Sequence, residues 1–131
     1  MSDTSVRQIM TSPVVTIRPD DPITDAAQAM QDASIGSLVI VDDDNSPQGI
    51  LTRTDFVRLA ADETFLTGSD VPSVRAVMET DVVTVTPDEP LETAVETMRE
   101  RTFHHLPVVN EGGEIIGVVT TTDLADTSVA L

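Results

Sequence analysis

The sequence predicts a mixed α/β (α+β) fold that consists of two β-α-β-β-α repeats. Sliding the 131-residue chain on itself by 68 positions aligns residues 6–56 with 74–124 without a gap, and 17 of the 51 pairs are identical. Within each copy, short β-branched runs flank a stretch whose apolar residues recur at helical spacing. We therefore place the repeats at residues 6–60 and 74–127, with a linker over residues 61–73.

Each repeat opens with a short strand and a helix. The runs at 14–17 and 82–85 are rich in β-branched residues and are soon followed by a proline, which predicts a strand. The next helix is expected to place Pro22 or Pro90 at its first position, where the missing N–H is harmless. Asp21 is the expected N-cap of the first helix, and the second repeat has a glutamate there, a poorer cap.

The second half of each repeat predicts a hairpin and a last helix. Leu38–Val41 and Leu106–Val109 are continuous apolar runs, which are typical of strands covered on both faces. After a polar turn, Gly49–Thr52 and Gly117–Thr120 predict the partner strands, and a helix opens directly after each. One repeat alone would bury a modest share of its surface. We therefore expect the two to pack sheet against sheet about a pseudo-twofold axis, as one module.

The composition excludes several classes of protein. There is no cysteine, which excludes disulfides and thiolate metal sites. Only three aromatic residues are present, all Phe, and the formal net charge is −16, so nucleic-acid and anionic-membrane partners are not expected. No apolar run approaches the roughly 18–20 residues of a membrane helix, and the N-terminus does not resemble a secretory signal. A cytoplasmic protein is expected.

The acidic excess also indicates the solvent that the protein meets. Twenty-three Asp and Glu residues oppose seven basic residues, all of which are arginine. Such a chain repels itself in dilute salt, whereas a Debye length of about 3 Å at molar salt removes most of that repulsion. The sequence thus favours the salt-rich cytoplasm of a halophile, and an ordinary acidic bacterial protein is the alternative.

Motifs that occur in both halves carry a family resemblance. In the first half they are Met10-x3-Val14-Val15-Thr16, Leu38-x2-Val41-Asp42 and Gly49-Ile50-Leu51-Thr52-x-Thr54-Asp55. In the second half they are Met78-x3-Val82-Val83-Thr84, His104-His105-Leu106-Pro107-Val108-Val109 and Gly117-Val118-Val119-Thr120-x-Thr122-Asp123. Each half resembles a CBS domain, named for cystathionine β-synthase, and the whole resembles a tandem CBS pair, or Bateman module. The resemblance covers residues 6–124.

The resemblance implies a regulatory function. CBS pairs typically bind adenosine-containing ligands, such as AMP, ADP, ATP or S-adenosylmethionine, in clefts between the repeats. They usually regulate an attached protein and commonly form disc-like homodimers. Because no further domain is visible in this sequence, we expect it to act on a separate partner protein. The alternative is a structural or protein-interaction module whose clefts bind nothing.

The chemistry of Thr52-x-Thr54-Asp55 and Thr120-x-Thr122-Asp123 agrees with such a ligand. Each motif lies where a strand ends and a helix begins, and free N–H groups there attract phosphate. Threonine hydroxyls add donors, and a carboxylate can accept both hydroxyls of a ribose. In the family this aspartate is the ribose ligand. The alternative is that Thr and Asp are ordinary helix caps.

The resemblance and pseudo-symmetry together imply two sets of ligand-binding residues. With Asp123 we group Met10, Val15, Ile35, Gly36, Ser37, His104, Val118, Thr120 and Thr122. With Asp55 we group Met78, Val83, Phe103, His104, His105, Ile50, Thr52 and Thr54. The apolar members would sandwich the adenine. The adjacent histidines would point to opposite faces of a strand and so would not share a metal; the alternative for them is a strand edge with one packed ring.

Signatures of catalysis and of metal binding are missing. The sequence has no P-loop, no G-x-G-x-x-G, no G-x-S-x-G and no H-E-x-x-H. We therefore expect no enzyme activity, no metal site and no cofactor beyond a regulatory adenosyl ligand. The Asp42-Asp43-Asp44 turn is expected to be solvated rather than to hold a cation. Because Arg18, Arg53 and Arg75 are the only candidate phosphate ligands, a weakly charged ligand is favoured over ATP.

Overall fold

A computed structural model of the chain describes residues 4–12, 14–62 and 71–125. They form two compact units, of which unit 1 contains Met1–Val14 together with Val83–Leu131 and unit 2 contains Val15–Val82. The mixed class of helices and strands is confirmed. In chain order the described elements are α1 (Val6–Ile9), β1 (Thr16–Ile17), α2 (Ile23–Ala33), β2 (Ser37–Val41), β3 (Pro47–Thr52), α3 (Arg53–Ala61), α4 (Val74–Val77), α5 (Leu91–Arg101), β4 (His105–Val109), β5 (Ile115–Thr120) and α6 (Thr121–Ala125).

The two units share one plan. In unit 2, β1 lies parallel to β2, and β2 is antiparallel to β3, in the order β1-β2-β3. In unit 1, β4 and β5 form the matching antiparallel pair. Both hairpins shift register at the same place, after Ile40 in β2 and after Val108 in β4. The internal repetition of the sequence is thus repeated in the strand pairing.

The strand predicted at 82–85 is wrong. Only Val85 pairs with β4, through a parallel bridge to Val108, whereas β1 pairs with β2 at two positions. The reason is Pro107, which stands where the first repeat has Val39, the partner of Thr16. Proline has no N–H to donate to a neighbouring strand. The second repeat therefore lacks the pair that Thr16 and Val39 form in the first repeat. β1 itself is shorter than the predicted run at 14–17.

The predicted caps of α2 and α5 are also corrected. Both helices begin one residue later than expected, with Pro22 and Pro90 as the N-cap residues in extended backbone. The Asp21 carboxylate instead accepts a hydrogen bond from the backbone N–H of Arg18 at 3.1 Å. The φ angle of proline is fixed near −65°, which suits both the N-cap and the first helical position. The two prolines therefore located the start of each helix to within one residue.

The first short helix of each repeat packs in the core that the other repeat dominates. Val6 of α1 is fully buried in the cluster that contains residues of α5, β4 and β5, and Val74 of α4 is fully buried among residues of α2, β2 and β3. The backbone N–H of Val6 donates to the carbonyl of Glu89 at 3.0 Å, and that of Val74 donates to Asp21 at 2.8 Å. Each compact unit therefore combines the start of one repeat with the body of the other.

An equivalent ion pair lies beside each of these two contacts of α1 and α4. Arg7 of α1 lies 3.3 Å from the carboxylate of Asp88, and Arg75 of α4 pairs with Asp20 in the same way. Both arginines and both aspartates match across the 68-residue offset. All four side chains are largely exposed, so these ion pairs contribute little to the stability of the folded protein.

The central strands are buried as predicted. Leu38, Val39 and Ile40 of β2 have no exposed surface, and Leu106 and Val108 of β4 are equally buried. Among the described residues no helix combines the length and the apolar character needed to cross a bilayer. The predicted linker over 61–73 and the end of the second repeat at 127 lie largely outside the described residues. The predicted twofold packing of the repeats remains a prediction.

Candidate functional site

The Asp123 carboxylate lies at the carboxyl end of β5, in unit 1. Its Oδ2 accepts the backbone N–H of Thr120 at 3.0 Å, and its own N–H donates to the Thr120 hydroxyl at 3.1 Å. These two bonds form the reciprocal arrangement of a helix cap. The side chain is half-buried, so Asp123 is held in one place and still reaches the surface.

A second threonine approaches the same carboxylate from the beginning of the chain. The Thr11 hydroxyl lies 3.3 Å from Oδ1 and 3.4 Å from Oδ2 of Asp123. Thr11 is brought there because its backbone pairs with Val118 of β5, with N···O distances of 2.8 and 3.1 Å. Thr11 is not among the residues predicted above. Its counterpart in the repeat alignment is Glu79, so the comparison of the two halves could not reveal it.

The Asp55 carboxylate holds the equivalent position in unit 2. Its Oδ2 accepts the backbone N–H of Thr52 at 2.8 Å and lies 3.3 Å from the Thr52 hydroxyl. Within the described part of the chain, Oδ1 accepts no hydrogen bond. Asp55 therefore caps α3 with one oxygen and leaves the other oxygen available.

Glu79 pairs with Ile50 of β3 as Thr11 pairs with Val118. The two N···O distances are 3.0 and 2.9 Å. In both units the residue before this pairing is a methionine that lies against a glycine of the strand. A Cβ on Gly49 would come within 2.6 Å of the Met78 sulfur, and a Cβ on Gly117 within 2.6 Å of the Met10 sulfur. The predicted site residues Met10 and Met78 are therefore fixed against β5 and β3.

The residues at the start of β2 and β4, and those directly before them, border the same strand ends. Ser37 pairs with Thr52, and His105 pairs with Thr120. The carbonyl of His104 accepts the N–H of Thr121 at 3.1 Å, while the His104 side chain is exposed. The structure thus brings both predicted segments next to the predicted Thr and Asp residues of their own repeat.

The predicted ligand-binding residues divide between the units. Unit 1 contains Met10, Val83, Phe103, His104, His105, Val118, Thr120, Thr122 and Asp123. Unit 2 contains Val15, Ile35, Gly36, Ser37, Ile50, Thr52, Thr54, Asp55 and Met78. The two predicted sets each mix residues of both units, and their grouping remains a prediction.

Two of the three candidate phosphate ligands are engaged elsewhere. Arg18 pairs with Asp43, and Arg75 pairs with Asp20. Arg53 packs over Gly36, where an added Cβ would meet its guanidinium at 2.9 Å. Its side chain borders a groove of about 470 Å³ with Ala27, Met30, Gln31, Ser34, Ile35 and Phe56. Arg53 is thus the candidate that keeps its charge available in the described part of the chain.

The acidic turn after β2 is organised by its own hydrogen bonds. Oδ1 of Asp42 accepts the backbone N–H groups of Asp44 and Ser46, at 2.9 and 3.0 Å. Over the residues that the structure describes, no group of three or more His, Asp or Glu side chains is arranged to hold a metal ion. The turn therefore has a local structural explanation.

Comparison with known proteins identifies the class of fold, a pair of CBS domains. The family profile named CBS domain matches residues 6–62 and 74–129. The chain belongs to the CBS domain family. The resemblance predicted from the repeated motifs is confirmed.

Two relatives differ in how much of their own length is similar to this chain. The chain is 36% identical over 123 residues to a 17.7 kDa protein of Acidianus ambivalens, covering 93% of this chain and 71% of that one. It is 33% identical to a homoserine O-acetyltransferase of Methanohalobium evestigatum, covering 95% of this chain but 24% of the enzyme. The chain thus corresponds to about a quarter of that enzyme.

A solved structure supplies the link to a ligand. The CBS domain pair of the protein MJ0100, in complex with 5′-methylthioadenosine and S-adenosyl-L-methionine, superposes with a TM-score of 0.84. It is 26% identical in sequence, and the match covers 95% of this chain and 94% of that one. A structural relative of this chain therefore binds adenosine compounds.

Proposed function

We propose that this chain is a regulatory module that binds an adenosine-type ligand, AMP, ADP, ATP or S-adenosylmethionine, and signals to a separate partner protein. The observation that carries the proposal is the open carboxylate oxygen of Asp55 at the carboxyl end of β3. The adenosyl ligands of the MJ0100 pair support the choice of ligand class. The role is regulatory rather than catalytic.

Asp55 and Asp123 are proposed to accept the ribose hydroxyls. A ribose presents two neighbouring O–H donors, and a carboxylate accepts such donors in charge-assisted bonds worth about 1.5–3 kcal/mol each. At Asp55 one oxygen is held by the backbone of Thr52 and the other faces no donor among the described residues. At Asp123 the Thr11 hydroxyl already lies near both oxygens, so a ligand there must compete with it.

A ligand with little negative charge suits the surroundings. The net charge of the chain is −16, and both Arg18 and Arg75 are paired with aspartates. A triphosphate would therefore meet few free cations. AMP and S-adenosylmethionine are the favoured members of the class.

The proposal is tested by the thermal stability of the protein in molar KCl with AMP, ATP or S-adenosylmethionine. A ligand at a hundred times its Kd stabilises the folded state by about 2.7 kcal/mol, which a melting curve detects easily. Asp55→Asn and Asp123→Asn remove acceptor charge at the two positions and should each reduce the gain. The double variant should lose it.

Asp25→Asn is the matched control, because Asp25 also lies in the first turn of its helix but belongs to neither candidate site. It should melt slightly lower than the wild type and keep the full ligand-induced gain. If no adenosine compound raises the melting temperature of the wild type, the alternative of a structural or interaction module is favoured.

The quaternary structure and the cellular setting belong to the same proposal. We expect a homodimer. We also expect the protein to work in the cytoplasm of a cell with high internal salt, because its acidic excess is best tolerated there. Light scattering of the purified protein in molar KCl measures its mass directly. A mass of a single 14.0 kDa chain would contradict the dimer.

A further inference from the structure

The two units differ at one position beside the candidate carboxylates. Thr11 pairs through its backbone with β5, and Glu79, 68 residues later, pairs with β3 through the same two hydrogen bonds. The four N···O distances lie between 2.8 and 3.1 Å. The backbone of Glu79 is therefore placed against β3, the strand that leads to Asp55, as the backbone of Thr11 is placed against β5, the strand that leads to Asp123.

The chemistry of the two positions is opposite. Thr11 is a neutral hydroxyl that lies 3.3 Å from Asp123 and can donate to it. Glu79 is an exposed carboxylate that cannot donate when ionised. Within the described residues, neither Glu79 nor Asp55 forms an ion pair. Unit 2 therefore presents two uncompensated carboxylates where unit 1 presents one carboxylate and one hydroxyl.

The nearby Arg53 does not cancel this difference. One edge of β3 pairs with β2, and its Ile50 pairs with Glu79 through a separate bridge. The Arg53 guanidinium packs over Gly36, directly before β2, and borders the groove with residues of α2. Its charge is thus directed toward β2 and α2, whereas Glu79 joins β3 from the segment that follows α4.

We propose that Glu79 is a specificity-determining residue, which makes the Asp55 position selective for an adenosyl ligand with a positive charge next to the ribose. A sulfonium bonded to the 5′ carbon is such a charge. The Asp123 position, with Thr11 instead, discriminates less. This inference rests on the proposed function, because it concerns the same carboxylates.

The expected size of the effect follows from Coulomb attraction. One unit charge at about 6 Å in a largely aqueous surrounding changes an affinity by about threefold to tenfold. Salt shortens the range of the interaction, so the selectivity should decrease as KCl is raised.

The test compares S-adenosylmethionine with S-adenosylhomocysteine, which lacks the methyl group and the positive charge. Titration calorimetry uses the full chain with Asp123→Asn, so that the Asp55 position is measured alone, at the lowest KCl at which the protein is folded. Adding Glu79→Gln should weaken S-adenosylmethionine about threefold to tenfold and leave S-adenosylhomocysteine nearly unchanged. Adding Glu96→Gln, an exposed glutamate of α5, changes the net charge equally and should alter neither affinity.

The reciprocal variant provides an independent measurement. In the Asp55→Asn chain, Thr11→Glu should raise the preference of the Asp123 position for S-adenosylmethionine by a similar factor. If both ligands bind and Glu79→Gln leaves their affinity ratio unchanged, Glu79 has no such role and the proposed function stands. If neither ligand nor AMP binds the wild type, the proposed function fails, and this inference fails with it.

Discussion

Gly49 and Gly117 show at the scale of single residues why the repeated motif contains a glycine. Met78 packs against Gly49 in β3, and Met10 packs against Gly117 in β5. At Gly49 an added Cβ would also come within 3.0 Å of the Glu79 carbonyl oxygen, which is backbone and cannot turn aside. The glycine therefore sets the distance between the strand and the segment that carries Met78 and Glu79.

Gly49→Ala is expected to destabilise the protein by about 1–3 kcal/mol, the usual cost of overpacking a tight contact. Gly112→Ala is the control, because its Cβ would meet no atom closer than 3.5 Å. Urea denaturation in molar KCl measures both. Equal midpoints for the two variants would show that the contact over Gly49 is loose.

At the same scale, sequence reasoning identified Asp55 and Asp123 but not Thr11. The aspartates follow a strand and open a helix, and that local pattern is visible in the sequence. Thr11 reaches Asp123 across 112 residues through strand pairing, which no local pattern encodes. The repeat alignment pairs Thr11 with Glu79, so a search for identities passes over both.

At the scale of elements, α1 and α4 are the parts whose placement the sequence did not reveal. The runs and turns of each repeat predicted β2, β3, β4, β5 and the long helices, because their apolar patterns are local. The four residues of α1 or α4 give no clue to which core they enter. That choice depends on tertiary packing, since both cores could accept a valine of the same size.

Val6→Ala is expected to act on the second repeat rather than on its own. Val6 is fully buried with residues of α5 and β4, so the smaller side chain should cost about 1–3 kcal/mol. Hydrogen exchange should show faster exchange of the amides of β4 and β5, with those of β2 and β3 much less affected. Val57→Ala is the control, because Val57 is 68% exposed. Loss of protection mainly in β2 and β3 would contradict the docking of α1.

At the scale of the whole molecule, charge is the dominant property. Among the described residues, Arg7, Arg18 and Arg75 form ion pairs with Asp88, Asp43 and Asp20. The sequence has 23 acidic residues and seven arginines, so the arginines are too few to balance most of the negative charge. Ions of the solvent must screen it.

The melting temperature is accordingly expected to rise between about 0.1 M and molar KCl, where the Debye length falls from about 10 to 3 Å. If screening relieves about 2–3 kcal/mol of repulsion, the increase is on the order of 10 °C. Differential scanning calorimetry over a series of KCl concentrations measures it. A melting temperature that is independent of salt would contradict the proposed adaptation.

α1 and α4 each pack in the core that the other repeat dominates, and this has a consequence for the ancestry of such a chain. A polypeptide with a single repeat would lack the valine that completes its core and would have to obtain it from a second molecule. Duplication within one gene joins donor and recipient, and so turns a concentration-dependent encounter into an intramolecular step with a much higher effective concentration. A fused pair of repeats can therefore complete both cores at any protein concentration. A chain with a single repeat could do so only where it is abundant enough to meet a second copy.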